Sequence, residues 1–217
     1  MKLVDSHQNN DGGSASSGST IAYLIRKSLY LNTTNRCSNR CTFCPKFTDM
    51  TLKGNELRLN HEPDAAEVLE AIDGFDAAVI YHEVVFCGYG ESLLRLDLIR
   101  EVAAELKWRG LPVRINTDGQ ANLVHGRNIL PELAGLVDTV SVSLNASDGA
   151  TYQCLCNTPF GDAGFTGVCN FIREATVHIP TVIASAVALP GVDVARVQAL
   201  AFSLGARFRE RAYVEAG

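Results

Sequence analysis

From Ile21 onward the chain alternates short apolar runs with longer amphipathic ones, the pattern of repeated strand–helix units around a parallel sheet. Six runs read as strands: LYLNTT (29–34), EVVFCG (83–88), VRINTD (113–118), TVSVSL (139–144), VIASAVAL (182–189) and RFRERAY (207–213). The clearest helix between them lies in SLLRLDLIREVAAELKWRG. Here Leu94, Leu98, Val102 and Leu106 recur every four residues, and Leu93 and Ile99 widen the stripe. Ser92 is expected to cap this helix and Gly110 to stop it. The segment VDVARVQALAFSLG repeats the design, with Asp193 as cap and Gly205 as stop. Residues 5–20 are polar, rich in Gly and Ser and without periodicity, so a disordered tail is expected over 1–20 and one folded domain over 21–217.

Six strand–helix units curl a parallel sheet into part of a barrel, and a complete eight-unit barrel needs about 250 residues. The expected fold is therefore α/β, a partial (β/α)6 TIM-type barrel of parallel strands. A flat doubly wound sheet is the alternative. Both architectures place ligands at the carboxyl ends of the strands.

Composition narrows the classes. Hydrophobic residues make up 47% and charged residues 20% of the 217 positions, with no apolar run of membrane-spanning length, so a soluble chain is expected. A net charge of −5 argues against a broadly basic surface and hence against nucleic acid as a partner. The first 20 residues lack the apolar core of a secretory signal, which points to a reducing cytoplasm. Seven cysteines there indicate metal before disulfides. Asn32 and Asn145 sit in glycosylation-type triplets that carry no meaning in such a compartment.

Three of the cysteines, Cys37, Cys41 and Cys44, crowd into CSNRCTFC directly after the first expected strand. Three thiolates on one short loop can take three corners of an iron–sulfur cube, leaving one iron open for a substrate or cofactor. A structural zinc site is the competing reading, and it wants four ligands, usually in two separated pairs.

CSNRCTFC, with an aromatic before its third cysteine, resembles the signature of radical S-adenosylmethionine (radical SAM) enzymes. The resemblance implies that Cys37, Cys41 and Cys44 hold a [4Fe–4S] cluster whose fourth iron is chelated by S-adenosylmethionine, with Phe43 near the adenine. FCGYGES (86–92) resembles the family's Gly-Gly-Glu-Pro motif, which receives the amino group of the methionine moiety. That implies Gly88, Tyr89, Gly90 and Glu91 at the cofactor, with Tyr89 and Ser92 departing from the pattern. RINTDGQ and SVSLNASD resemble the polar strand ends that hold the ribose and methionine parts, implying Asn116, Thr117, Asp118, Ser143 and Asn145. Asp118 also reads as an ordinary Asp-Gly turn. The carboxyl third resembles glycyl-radical-enzyme activases, which places Ser185 and Val187 near the cofactor. Arg209 and Arg211 share one face of the last strand, and pointing inward they could bind a carboxylate of cofactor or substrate, with Arg211 expected among the cofactor residues. RINTDGQANL, GRNILPEL and SVSLNA look closer still to the TatD-associated radical SAM proteins.

The resemblance implies an oxidoreductase-type reaction. An external one-electron donor such as flavodoxin or ferredoxin reduces the cluster, S-adenosylmethionine is cleaved, and a 5′-deoxyadenosyl radical takes a hydrogen atom from a substrate. A short barrel leaves a wide mouth, which suits a macromolecular substrate or an oligomer, and no membrane partner is expected. The alternatives are a glycyl-radical-enzyme activase and an iron–sulfur or zinc protein that only binds. Cys87, Cys154, Cys156 and Cys169 read mainly as buried thiols rather than a second cluster, with Cys156 a conceivable hydrogen donor. His61, His82, His125 and His178 form no ligand pair by spacing.

Overall fold

The computed structural model describes residues 19–75 and 81–213, so the expected tail, apart from Ser19 and Thr20, lies outside the described residues. Thr20 is held at both ends of its peptide, its N–H donating to the Glu56 carbonyl (3.0 Å) and its carbonyl accepting from the Asn32 amide (3.1 Å). The elements in chain order are β1 (Ala22–Ile25), β2 (Ser28–Leu31), β3 (Thr51–Leu52), β4 (Asn55–Glu56), α1 (Ala65–Asp73), β5 (Glu83–Phe86) and α2 (Leu96–Trp108). They continue with β6 (Val113–Thr117), α3 (Ala121–His125), α4 (Leu130–Leu133), β7 (Thr139–Ser143), α5 (Gly149–Cys156) and α6 (Asp162–His178). The last three are β8 (Thr181–Val187), α7 (Val194–Ser203) and β9 (Arg207–Arg211).

Seven strands form one sheet in the order β1-β2-β5-β6-β7-β8-β9. Six of them are the expected parallel strands, and β2 followed by β5 to β9 stand side by side in chain order. A doubly wound sheet reverses strand order at a switch point. This sheet never does, so its topology is the singly wound one of a partial barrel. Among the described residues no pairing joins β9 back to β1 or β2, and the arc stays open.

Three strands escaped the sequence pattern. β1 pairs antiparallel with β2 across Arg26 and Lys27, a two-residue connection lacking the Asn-Gly or Asp-Gly chemistry that marks tight hairpins. The two-residue strands β3 and β4 form a small hairpin of their own between the cysteine loop and α1. Strands this short carry too little alternation to read.

Alternation divides each parallel strand between two environments. Leu29, Leu31, Val84, Phe86, Val113, Ile115, Val140, Val142, Ala184 and Ala186 face the helices and build the apolar core with Val68, Ile99, Val102, Leu106, Phe171 and Ile172. The opposite face is polar. On it, the Arg114 guanidinium forks onto Glu83 (3.0 and 2.8 Å) and donates to Asn116 Oδ1 (2.9 Å) and to the Tyr30 hydroxyl (3.4 Å).

Helix ends follow local chemistry. Asp64 and Glu67 form a reciprocal capping box at α1, and Asp193 accepts from the Arg196 N–H at α7 as expected. The expected cap at Ser92 is displaced by one residue. Glu91 caps instead, accepting from the Leu93 N–H at 3.0 Å, and a single 3-10 turn over Ser92–Arg95 precedes α2. Its longer side chain reaches back to the helix and also across to β6, which a serine cannot do. Among the described residues no helix is long and apolar enough to cross a membrane.

Phe86 is fully buried between β2, β6 and the helices. Phe86→Ala is expected to cost about 3–5 kcal/mol, seen as a lower urea midpoint with an unchanged slope.

Candidate functional site

The loop from residue 32 to residue 47 is fixed on several sides. Asn32 donates to the Thr20 and Leu57 carbonyls, Asn35 pairs with the Leu59 backbone in both directions (2.7 and 3.0 Å), and Arg95 donates to the Thr33 and Pro63 carbonyls. Arg36 forks onto Glu62. On the far side the Arg40 and Thr42 N–H groups donate to the Cys156 and Leu155 carbonyls at the end of α5. Asn39 and Gln120 both donate to the Tyr152 hydroxyl, tying the loop to α5 from beneath.

This loop presents Cys37, Cys41, Phe43 and Cys44 to a cavity of about 460 Å³ at the carboxyl ends of the strands. Every expected cofactor residue lines the same cavity: Gly88, Tyr89, Gly90 and Glu91 after β5, Asn116, Thr117 and Asp118 from β6, Ser143 and Asn145 from β7, Ser185 and Val187 from β8, and Arg211 from β9. The sequence reading missed Tyr23, Cys87, Asn39, Leu52 and Leu57, which also line it. Tyr23 belongs to the unexpected β1, stacks on Tyr30 and donates its hydroxyl to the Cys87 carbonyl (2.9 Å).

Gly88 and Gly90 have a steric reason that the sequence did not show. A Cβ on Gly90 would stand 2.1 Å from the Thr34 carbonyl oxygen, and one on Gly88 would stand 2.1 Å from Asn32 Oδ1. Both glycines therefore admit the cysteine loop against the end of β5, and the Glu91 N–H seals the contact by donating to the Arg36 carbonyl (2.7 Å). The departures fall elsewhere. Tyr89 turns its hydroxyl toward the Thr51 carbonyl (3.4 Å) at the cavity rim, and Ser92 is buried at the head of the 3-10 turn.

Two carboxyls join the loop to the sheet. Glu91 is buried and accepts from the Leu93 N–H, the Thr117 hydroxyl (2.9 Å) and the Asp118 N–H (2.6 Å). Asp118 accepts from the Gln120 N–H (2.9 Å) as an Asp-Gly turn should, and from the Ser38 hydroxyl (2.8 Å) and the Cys37 thiol (3.8 Å). Burial raises both carboxyls above their ordinary range, and Asp118 beside Glu91 adds to the shift of Glu91.

Burial also pushes the Cys37 and Cys44 thiols up, with Asp118 and Glu91 reinforcing the effect at Cys37. Cys41 is raised first by its hydrogen bond with Cys156 and then by burial. Thiols in such surroundings hold their protons until a cation replaces them, because metal binding requires the thiolate. Among the described residues no group of three or more Cys, His, Asp or Glu side chains gathers closely enough for a single ion. Three soft sulfur donors on one pinned loop, spread around a cavity mouth, suit a multi-iron group that needs one ligand per corner.

The remaining cysteines do not assemble. Cys154 is exposed, Cys169 is buried, and Cys156 is fully buried behind Cys41, accepting weakly from the Asn145 amide (3.7 Å), so it offers no thiol to the cavity. His61 bonds Glu67 and His125 bonds the Leu93 carbonyl.

Gly90→Ala is expected to displace the cysteine loop, since a backbone oxygen occupies the space the methyl group needs. The measurement is iron and sulfide bound per chain after anaerobic reconstitution, and it should fall well below the parent value while the circular dichroism spectrum keeps its shape.

The profile of the Radical SAM superfamily matches residues 31–204, from the end of β2 to the end of α7. No curated protein matches the sequence. Among solved structures, Streptococcus suis SuiB bound to precursor peptide SuiA superposes with a TM-score of 0.62 at 17% identity, over 87% of this chain and 40% of SuiB. Methylornithine synthase (PylB) gives 0.58 at 18% identity, over 86% of this chain and 53% of that one. A radical SAM methyltransferase from Sphaerobacter thermophilus gives 0.58 at 13% identity, over 88% and 68%. The chain thus spans less than two thirds of SuiB and PylB, and the likeness to all three is one of fold. With the profile running through the cysteine loop and five of the six parallel strand ends, the chain belongs to the Radical SAM superfamily of enzymes.

Proposed function

We propose that this chain cleaves S-adenosylmethionine reductively at a [4Fe–4S] cluster and uses the resulting radical on a substrate. The observation that carries the reading is the convergence of Cys37, Cys41 and Cys44, on the loop after β2, with the polar ends of the other five parallel strands, β5 to β9, on one cavity. When bound, cluster and S-adenosylmethionine together supply methionine and a 5′-deoxyadenosyl radical that removes a hydrogen atom from the substrate.

The chain's own residues bind, orient and enclose. The three thiolates would hold the cluster, and the pinned loop keeps them at the cavity mouth. Gly88, Tyr89 and Gly90 line the cavity with little side-chain cover at the glycines, and their backbone suits the methionine amino group. The Glu91 carboxyl is already occupied by three donors, so its part is to hold the ends of β5 and β6 together. Asn116, Ser143, Asn145 and Ser185 offer neutral donors and acceptors for ribose and methionine, and Phe43 and Val187 offer apolar cover for adenine. Tyr23, Leu52 and Leu57 help to exclude water.

An electron must come from outside, and flavodoxin or ferredoxin fits that role in a reducing cytoplasm. Within the superfamily we place the chain beside the TatD-associated proteins, on RINTDGQANL, GRNILPEL and SVSLNA. The open arc favours a macromolecular substrate, in line with the precursor peptide held by SuiB. The activase reading differs in requiring a glycyl-radical protein as that substrate.

The test is anaerobic reconstitution, reduction and a chromatographic assay for 5′-deoxyadenosine. The parent chain should form it from S-adenosylmethionine, and Cys41→Ala should lower the yield to background. A fully loaded, reduced cluster whose EPR signal ignores S-adenosylmethionine, with no product, would sink the proposal and favour a protein that only carries the cluster.

A further inference from the structure

The last strand puts two cations on the polar face of the sheet, where among the described residues no carboxylate bonds either one; Glu83 is near enough to Arg209 to feel its charge but is held by Arg114. Arg209 and Arg211 sit two residues, about 7 Å, apart on the inward face of β9, and both line the cavity. Arg211 crosses over β8, where its register partner Val187 and, one step back, the small Ser185 face inward. Its terminal nitrogen donates to the Ser143 hydroxyl (3.3 Å) and to Asn145 Oδ1 (3.1 Å) on the far side. Arg209 does the same one layer deeper, donating to the Ser141 hydroxyl (3.2 Å).

Neither contact supplies negative charge. The comparison within the same barrel is Arg114, whose guanidinium is neutralised by a fork onto Glu83. Among the described residues Arg209 and Arg211 form no ion pair, and Arg211 Nε is buried without any acceptor. A guanidinium has five donors and no acceptor, and burying it unpaired is costly. Here a second guanidinium stands beside it. Burial, reinforced by Arg209, accordingly lowers the Arg211 pKa from its ordinary value. The geometry lacks an acceptor with negative charge that can reach Arg211 Nε and lie between the two forks, and a carboxylate or phosphate has that shape.

We infer that Arg209 and Arg211 form an oxyanion subsite of the cavity and that the substrate carries a carboxylate or phosphate group that binds there. The inference rests on the radical SAM reading for its assignment to the substrate. In that reading the carboxylate of S-adenosylmethionine is committed to iron at the cysteine loop. That loop follows β2, at the other end of the strand order from β9, and the curl of the sheet brings it round to face Arg211 across the same cavity. With that carboxylate held by iron, the pair is left for an anionic group of the substrate.

The experiment is equilibrium titration of the full chain, cluster-free and reconstituted, with inorganic phosphate, with succinate and with S-adenosylhomocysteine, read by calorimetry and by melting temperature. Phosphate or succinate should bind and raise the melting temperature. Arg209→Gln and Arg211→Gln should each weaken that binding by about tenfold or more, with Arg209→Lys and Arg211→Lys intermediate. The half-exposed position of Arg211 and the exposed position of Arg209 make the second the safer variant if the first fails to fold. Failure of the parent chain to bind either anion overturns the inference, as does unchanged affinity in both Gln variants. So does a loss confined to S-adenosylhomocysteine, which would assign the arginines to the cofactor. Because the cluster-free chain is included, the titration reads the subsite whether or not 5′-deoxyadenosine is formed, and the two proposals fail separately.

Discussion

Glu91 is the buried carboxyl on which the site's architecture turns. Among the described residues it has no cation bonded to it, and three donors from two stretches of chain converge on it: the Leu93 N–H at the start of the 3-10 turn, and the Thr117 hydroxyl and Asp118 N–H at the end of β6. Those bonds bind the end of β5 to the end of β6 and to the 3-10 turn that leads into α2. Asp118, placed by that contact, reaches Ser38 and Cys37, so the cysteine loop takes its position from the sheet through two carboxyls in series. A buried acid kept for such a purpose must have its lone pairs filled, and these are.

The division of the sheet into an apolar outer face and a polar inner one explains how so small a chain builds a site with this many contributors. The parallel strands end at one rim: β2 leads into the cysteine loop, and β5 to β9 each bring residues to the cavity at or just after their carboxyl ends. The inward residues are mostly small hydroxyl and amide groups, Ser141, Ser143, Asn116, Asn145 and Ser185, with the arginines of β9 arching over them. Small neutral groups below and long cations above leave the middle of the barrel open to a ligand.

Much of this was legible in the sequence. The six parallel strands, the helix stripe of α2 and the cap at Asp193 follow from alternation and from strand–helix order, and the gathering of Cys37, Gly90, Asn116, Ser143 and Ser185 at one rim is what the family resemblance implied. Periodicity is a local property, and these features are local. What stayed hidden depends on contacts distant in sequence. β1 exists because Tyr23 has Tyr30 and the Cys87 carbonyl to meet. Glu91 rather than Ser92 caps the helix because Thr117 and Asp118 draw its carboxylate there. The inward direction of Arg209 and Arg211 is set by β7, some 70 residues earlier, and one strand's pattern carries no word of it.

The two close-packed glycines bear on how such a motif is read in any chain. Gly88 and Gly90 are required by the volume of Asn32 and Thr34, so they would be needed even if nothing ever bound in the cavity. Tyr89 and Ser92, where this chain leaves the family pattern, do not take part in that contact: one side chain leans out over the rim and the other is buried at the head of the 3-10 turn. The motif's letters thus divide into those governed by the chain's own self-contact and those free to drift. Only the second kind can record a change of ligand, and it is there that divergence between relatives should be searched for signs of new chemistry.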